Sequence, residues 1–163
     1  MTTTPASASP STAGAGMFSL SSTAFAESGA IPREFTCDGA NASPPLAWSG
    51  VPAGTAALEL VVDDPDAGGF VHWIVLDLPG ADGHLGRGIG AAVSPQQGTN
   101  DFGKRDWGGP CPPSGTHHYR FTLTALDAKL GLSGAPDGDA VRDALAGAKV
   151  LGTATLTATY QRS

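Results

Sequence analysis

The sequence predicts an all-β domain, and three observations carry that prediction. Gly at 23 and Pro at 13 imply many turns between short elements. Several stretches alternate apolar and polar residues with the period of two that a half-buried strand requires. One stretch near the C-terminus carries the spacing of an amphipathic helix, and it is short.

The elements follow in order. Residues 1–16, "MTTTPASASPSTAGAG", are low-complexity and carry almost no large apolar side chain to offset the entropy of ordering, so they are expected to form a disordered tail. Met17 opens "MFSLSSTAF", the expected start of a domain over residues 17–163. A strand is predicted over 57–62, "ALELVV", with Leu58, Leu60 and Val62 on one face. A second, over 70–78, "FVHWIVLDL", is apolar almost throughout, as a central strand buried on both faces would be. A third, over 118–126, places Tyr119, Phe121, Leu123 and Ala125 on one side, and a fourth, over 151–160, sets Ala154, Leu156, Ala158 and Tyr160 opposite a row of threonines. The helix is expected over 139–149, capped by Asp139, with Val141, Ala144 and Leu145 as its apolar stripe.

Charge narrows the function. The net charge is −6 and charged residues are 15% of the chain, which argues against a nucleic-acid or anionic-membrane surface. No stretch is long and apolar enough to be a transmembrane segment. The N-terminus has neither the positive nor the apolar region of a secretory signal, so the expected compartment is cytoplasmic. No His-Glu or Cys-x-x-Cys spacing suggests a metal, and no cofactor motif is present.

The chemistry concentrates at "DDPDAGGFVHW", residues 63–73. Extending the period of two puts Asp64 on the Leu58/Leu60/Val62 face. It puts His72 with Phe70, Ile74 and Leu76, and His117 with Tyr119 and Phe121. Each polar group therefore ends an apolar stripe, and neighbouring strands would gather them at one rim of the core. Singly, each also has an ordinary reading: aspartates in "DPDAGG" commonly bond turn amides, and a lone strand histidine is commonly structural. The segment 101–121, "DFGKRDWGGPCPPSGTHHYRF", adds a stiff Gly/Pro loop whose amides near Gly108 and Gly109, with imidazole and phenol donors, would make a small anion receptor.

The motifs "TCDGANASPPLAWSGVPAGT", "VVDDPDAGGFVHWIV", "NDFGKRDWGGPCPP" and "HHYRFTLTALD", in that order, resemble the phosphatidylethanolamine-binding protein family, in its bacterial Raf-kinase-inhibitor-like branch. The resemblance runs from Phe18 to Tyr160. It implies a Greek-key β-sandwich of two antiparallel sheets with a small helix near the C-terminus. It also implies a pocket for phosphate-like anions formed by Asp64, Asp66, His72, Gly109, His117 and Tyr119. It brings Cys37 and Cys111 near that pocket, where a disulfide and two free thiols both stay open. Two departures stand out. Gly68-Gly69 replaces a proline and implies a looser loop, and His118 replaces the arginine of the family's "HRY".

The expected function is a non-enzymatic binding module for phosphate, phosphoethanolamine or a phospholipid headgroup. A signalling protein such as a kinase is the expected class of protein target, and a homodimer stays open. No G-x-S-x-G elbow supplies a nucleophile. The alternative is a small hydrolase or lyase that uses Asp64 and His72 as an acid–base pair.

Overall fold

The computed structural model describes residues 17–89 and 96–162. The expected tail, 1–16, lies outside the described residues. Strands are β1 (Ser19–Ser21), β2 (Leu46–Ser49), β3 (Ala57–Asp64), β4 (Phe70–Pro79), β5 (Gly83–Leu85), β6 (Gln96–Gln97), β7 (Gly115–Leu126) and β8 (Val150–Arg162). One helix, α1 (Gly138–Ala146), and short 3-10 turns at Arg33–Phe35 and Pro65–Ala67 complete the elements.

They form two antiparallel sheets, a three-stranded one in the order β1-β2-β5 and a five-stranded one in the order β6-β4-β3-β7-β8. Leu20, Leu46, Trp48 and Leu85 of the small sheet pack against Leu58, Leu60, Val62, Phe121, Leu123 and Leu156 of the large one. This is the main core. The alternation read in β3, β7 and β8 is what supplies it. A second core lies on the other face of the large sheet, where Val71, Ile74 and Leu76 meet Val141 of α1, with Leu130, Leu132 and Leu145 alongside. The central strand β4 serves both cores, which is why it reads as continuously apolar.

The helix starts and stops earlier than the sequence suggests. Asp137, not Asp139, is the N-cap: its Oδ1 accepts from the Ala140 N–H at 2.9 Å. The chain leaves the helix at Gly147, where the Gly147 and Ala148 N–H groups bond back to the Ala144 and Leu145 carbonyls.

The faces of β4 also differ from strict alternation. Val62 opposes Trp73 but Asp63 opposes Val71, so His72 is the extra residue of a β-bulge. Beyond it, Trp73 and Val75 enter the main core, while Ile74 and Leu76 enter the second one. His72 therefore does not share a face with Ile74 and Leu76. A period of two cannot register an inserted residue.

Candidate functional site

Antiparallel pairing brings the end of β3, the start of β4 and the start of β7 to one rim of the large sheet. Asp64 pairs with Phe70, and Asp63 pairs with both Val71 and Arg120. The loop between β6 and β7 closes over them. Its anchor is Asn100, 3% exposed. Asn100 Nδ2 donates to the His72 and Asp106 carbonyls, and its Oδ1 accepts from the Phe102 and Lys104 amides. The Asp101 carboxylate accepts from the Val71 N–H.

Between these elements lies a cavity of about 260 Å³. Ala67, Phe70, Phe102, Pro112 and Pro113 give it apolar walls, and Cys111 sits at its edge. Its polar lining is Asp64, His72, His117 and Tyr119. Four of the six residues singled out in the sequence thus meet in one place. An apolar enclosure with a few convergent polar groups is the usual form of a small-ligand site.

Asp64 is 3% exposed and uses both oxygens. Oδ1 accepts from the Asp66 N–H at 2.8 Å and so caps the 3-10 turn, and Oδ2 accepts from His117 Nδ1 at 2.6 Å. His72 is 4% exposed, and its Nδ1 donates to the Gly108 carbonyl at 2.6 Å. The His72 ring meets Phe70, Phe102 and Tyr119 edge-on. Burial holds the His72 imidazole below its usual pKa, against the opposing pull of the Gly108 hydrogen bond and the Asp64 charge. Tyr119 is 1% exposed; burial, then the charges of Asp64 and Asp66, push its phenol well above the usual range, so it stays a hydroxyl.

The other two expected residues are elsewhere engaged. Asp66 Oδ2 accepts from the His118 N–H at 2.7 Å and from His118 Nδ1 at 2.8 Å, outside the cavity lining. That hydrogen bonding holds its carboxyl below the ordinary value. Gly109 lies behind the wall. Its N–H donates to Asn41 Oδ1, and a Cβ there would run into Asn41 Oδ1 and the Phe35 carbonyl. The Gly108 N–H is likewise spent on the His72 carbonyl. The expected receptor of loop amides is therefore not formed, because both amides build the loop itself. Its glycines serve close packing.

The Asp64/His72 pair of the hydrolase reading is not made either, since the carboxylate turns to His117. Gly68 and Gly69 both adopt positive φ, 69° and 85°, which glycine tolerates, and Arg142 Nη2 ties the Gly69 carbonyl at 2.9 Å. The loop is tethered rather than loose. Cys37 and Cys111 are joined by a disulfide with Cα atoms 5.5 Å apart.

Sequence reasoning missed Phe70, Phe102 and Asn100 as parts of the site. Phe102, 44% exposed, offered one signal: a large apolar side chain in an otherwise polar loop. Among the described residues no group of His, Cys, Asp and Glu is arranged to hold a metal ion, and no helix is long and apolar enough to cross a membrane.

Comparison with known proteins adds lineage to this geometry. The family model for phosphatidylethanolamine-binding protein matches residues 21–161. A UPF0098 protein of Methanothermobacter thermautotrophicus is 43% identical over 88% of this chain and 98% of its own length. The candidate lipoprotein LppC of Mycobacterium tuberculosis is 46% identical over 82% of this chain and 70% of its own. In crystal structures, CT736 of Chlamydia trachomatis superimposes with a TM-score of 0.83 at 34% identity, covering 91% of this chain and 99% of that one. YbcL of Escherichia coli, described as a member of the mammalian PEBP family, gives 0.82 at 32% identity, covering 90% and 99%.

Proposed function

Because the chain belongs to the phosphatidylethanolamine-binding protein family, we propose that it is a binding module whose ligand is a phosphate-like anion held in the cavity of Asp64, His72, His117 and Tyr119. The observation that carries this reading is the His117–Asp64 pair, 2.6 Å long, in the wall of an otherwise apolar cavity. Asp64 is not a contact for an anion, since like charges repel. It fixes the His117 ring through Nδ1 and balances the imidazolium when that ring is protonated. The Tyr119 hydroxyl remains as a donor, and the His117 ring keeps Nε2 as its second polar edge. Apolar walls strengthen both by excluding water.

Two neighbouring questions belong to the same reading. An exposed disulfide at the cavity edge fits an oxidising compartment better than the cytoplasm, and kinship with a candidate lipoprotein points the same way. A protein target such as a kinase would approach at the cavity mouth, where bound ligand and rim residues meet solvent.

Calorimetric titration with phosphoethanolamine tests the anion reading. Loss of one charge-assisted hydrogen bond costs roughly 1.5–3 kcal/mol, so His117→Ala is expected to weaken binding about tenfold to a hundredfold. Binding that is unchanged in His117→Ala, in a protein with the parent's circular dichroism, would remove the cavity from consideration. Release of product from phosphate or carboxylate esters, abolished by the same substitution, would instead favour an enzyme built on Asp64 and His117.

A further inference from the structure

The two histidines of the cavity are not equivalent. A carbonyl oxygen only accepts, so the His72 Nδ1 that lies 2.6 Å from the Gly108 carbonyl carries a hydrogen. Burial disfavours a second proton on this ring. Nε2 is then a lone pair. The hydrogen bond this ring makes is at Nδ1, and Nε2 is its other polar edge in the cavity it lines. Tyr119 contributes a hydroxyl and His117 is fixed by Asp64. The lining therefore offers the Tyr119 hydroxyl as a donor on the β7 side and an acceptor on the β4 side.

An oxyanion without hydrogen fits only half of that. Its oxygen facing His72 would set lone pair against lone pair. A P–OH group facing His72 satisfies both sides. We propose that the cavity selects a phosphoryl group that retains one hydrogen, the P–OH of a phosphomonoester or of inorganic phosphate donating to His72 Nε2, and discriminates against phosphodiesters, which have none. This rests on the anion reading above and adds to it the class of anion.

The pH behaviour follows. The groups facing His72 are Asp64 from β3, Asp101 and the Gly108 and Gly109 carbonyls from the loop, and His117 and Tyr119 from β7. A phosphomonoester loses its second proton near pH 6. Above that, the bound pair must recover a proton, on the ligand or on His72, and affinity is expected to fall about tenfold per pH unit.

The test compares methyl phosphate with dimethyl phosphate on the parent protein at pH 5, by calorimetry. Both are then monoanions, and both are small against a 260 Å³ cavity. They differ in the P–OH. Methyl phosphate and inorganic phosphate are expected to bind at least about tenfold more tightly than the diester, because a site polar group left without its partner is penalised. His72→Gln presents an amide that donates as well as accepts, and it is expected to narrow that gap. Short-chain phosphatidate, a lipid monoester, binding more tightly than methyl phosphate would assign the phosphoryl group to a lipid; equal binding would assign it to a soluble metabolite. Both results keep the monoester preference. Equal affinity for methyl and dimethyl phosphate, or short-chain phosphatidylcholine binding as well as phosphatidate, overturns it and leaves the anion reading standing. If none of these compounds binds, both readings fall.

Discussion

Asp64 Oδ2 and His117 Nδ1 lie 2.6 Å apart across the β3–β7 pairing, while the second oxygen of Asp64 caps the turn that leaves β3. One carboxylate thus ties the position of a cavity side chain to the shape of the loop beside it. In Asp64→Ala the histidine loses its orientation and the Asp66 N–H loses its acceptor. A double-mutant cycle of Asp64→Ala and His117→Ala, read by phosphate affinity, is expected to show a coupling of about 1–3 kcal/mol. Additive losses would mean that the two residues act separately.

Glu59 is fully buried, with Oε1 accepting from the Asp77 N–H at 2.8 Å and Oε2 without a partner among the described residues. Burial, reinforced by the nearby Asp77 charge, raises its pKa from 4.5 to about 8. The sign is that of an acid made weaker by folding. Between the unfolded value and about 8 the native state holds a proton that the unfolded state has released. Stability is therefore complete below the unfolded value and falls as pH rises through this window, by up to about 1.4 kcal/mol per unit. Glu59→Gln is expected to flatten that slope and to raise the melting temperature at pH 8. Parallel melting curves from pH 5 to pH 8 in parent and variant would contradict it.

The disulfide joins residues separated by 74 positions. On the chain-entropy account, a loop of that length corresponds to about 4 kcal/mol. The double substitution Cys37→Ser and Cys111→Ser is expected to lower the melting temperature clearly. It should also weaken phosphate binding, since Cys111, Pro112 and Pro113 form one wall of the cavity. Thiol titration of the denatured, unreduced protein should find no free thiol; two would contradict the bridge.

How far these features were legible depended on their range. Alternation located β3, β7 and β8 because each has one face in the main core. It misplaced the partners of His72 because a bulge is set by pairing with β3, which no local pattern records. Asp64, His72, His117 and Tyr119 were legible because each interrupts an apolar stripe or sits in a recognisable motif. Asp66 and Gly109 carried the same motif signal, yet their hydrogen bonds go to His118 and Asn41, 52 and 68 residues away in the chain. The helix begins ahead of the expected Asp139 because Asp137 is the side chain that reaches an N–H, which the backbone path and not the local pattern decides.

Gly109→Ala probes the loop directly. The added methyl would meet the Phe35 carbonyl and Asn41 Oδ1 and disturb the bond that Asn41 makes to the Gly109 N–H. Overpacking of this kind costs about 1–3 kcal/mol. Chemical denaturation should show a loss of that size. A variant as stable as the parent would show that the wall yields easily.

The most direct measurement of the central claim is a phosphate titration followed by nuclear magnetic resonance of the histidine rings and backbone amides. The account predicts saturable shifts centred on His72, His117 and Tyr119, with the Nε2 signals of His72 and His117 moving most and those of His84 and His118 moving little. Shifts centred on the groove of Arg33, Tyr160 and Arg162, or none that saturate, would contradict it.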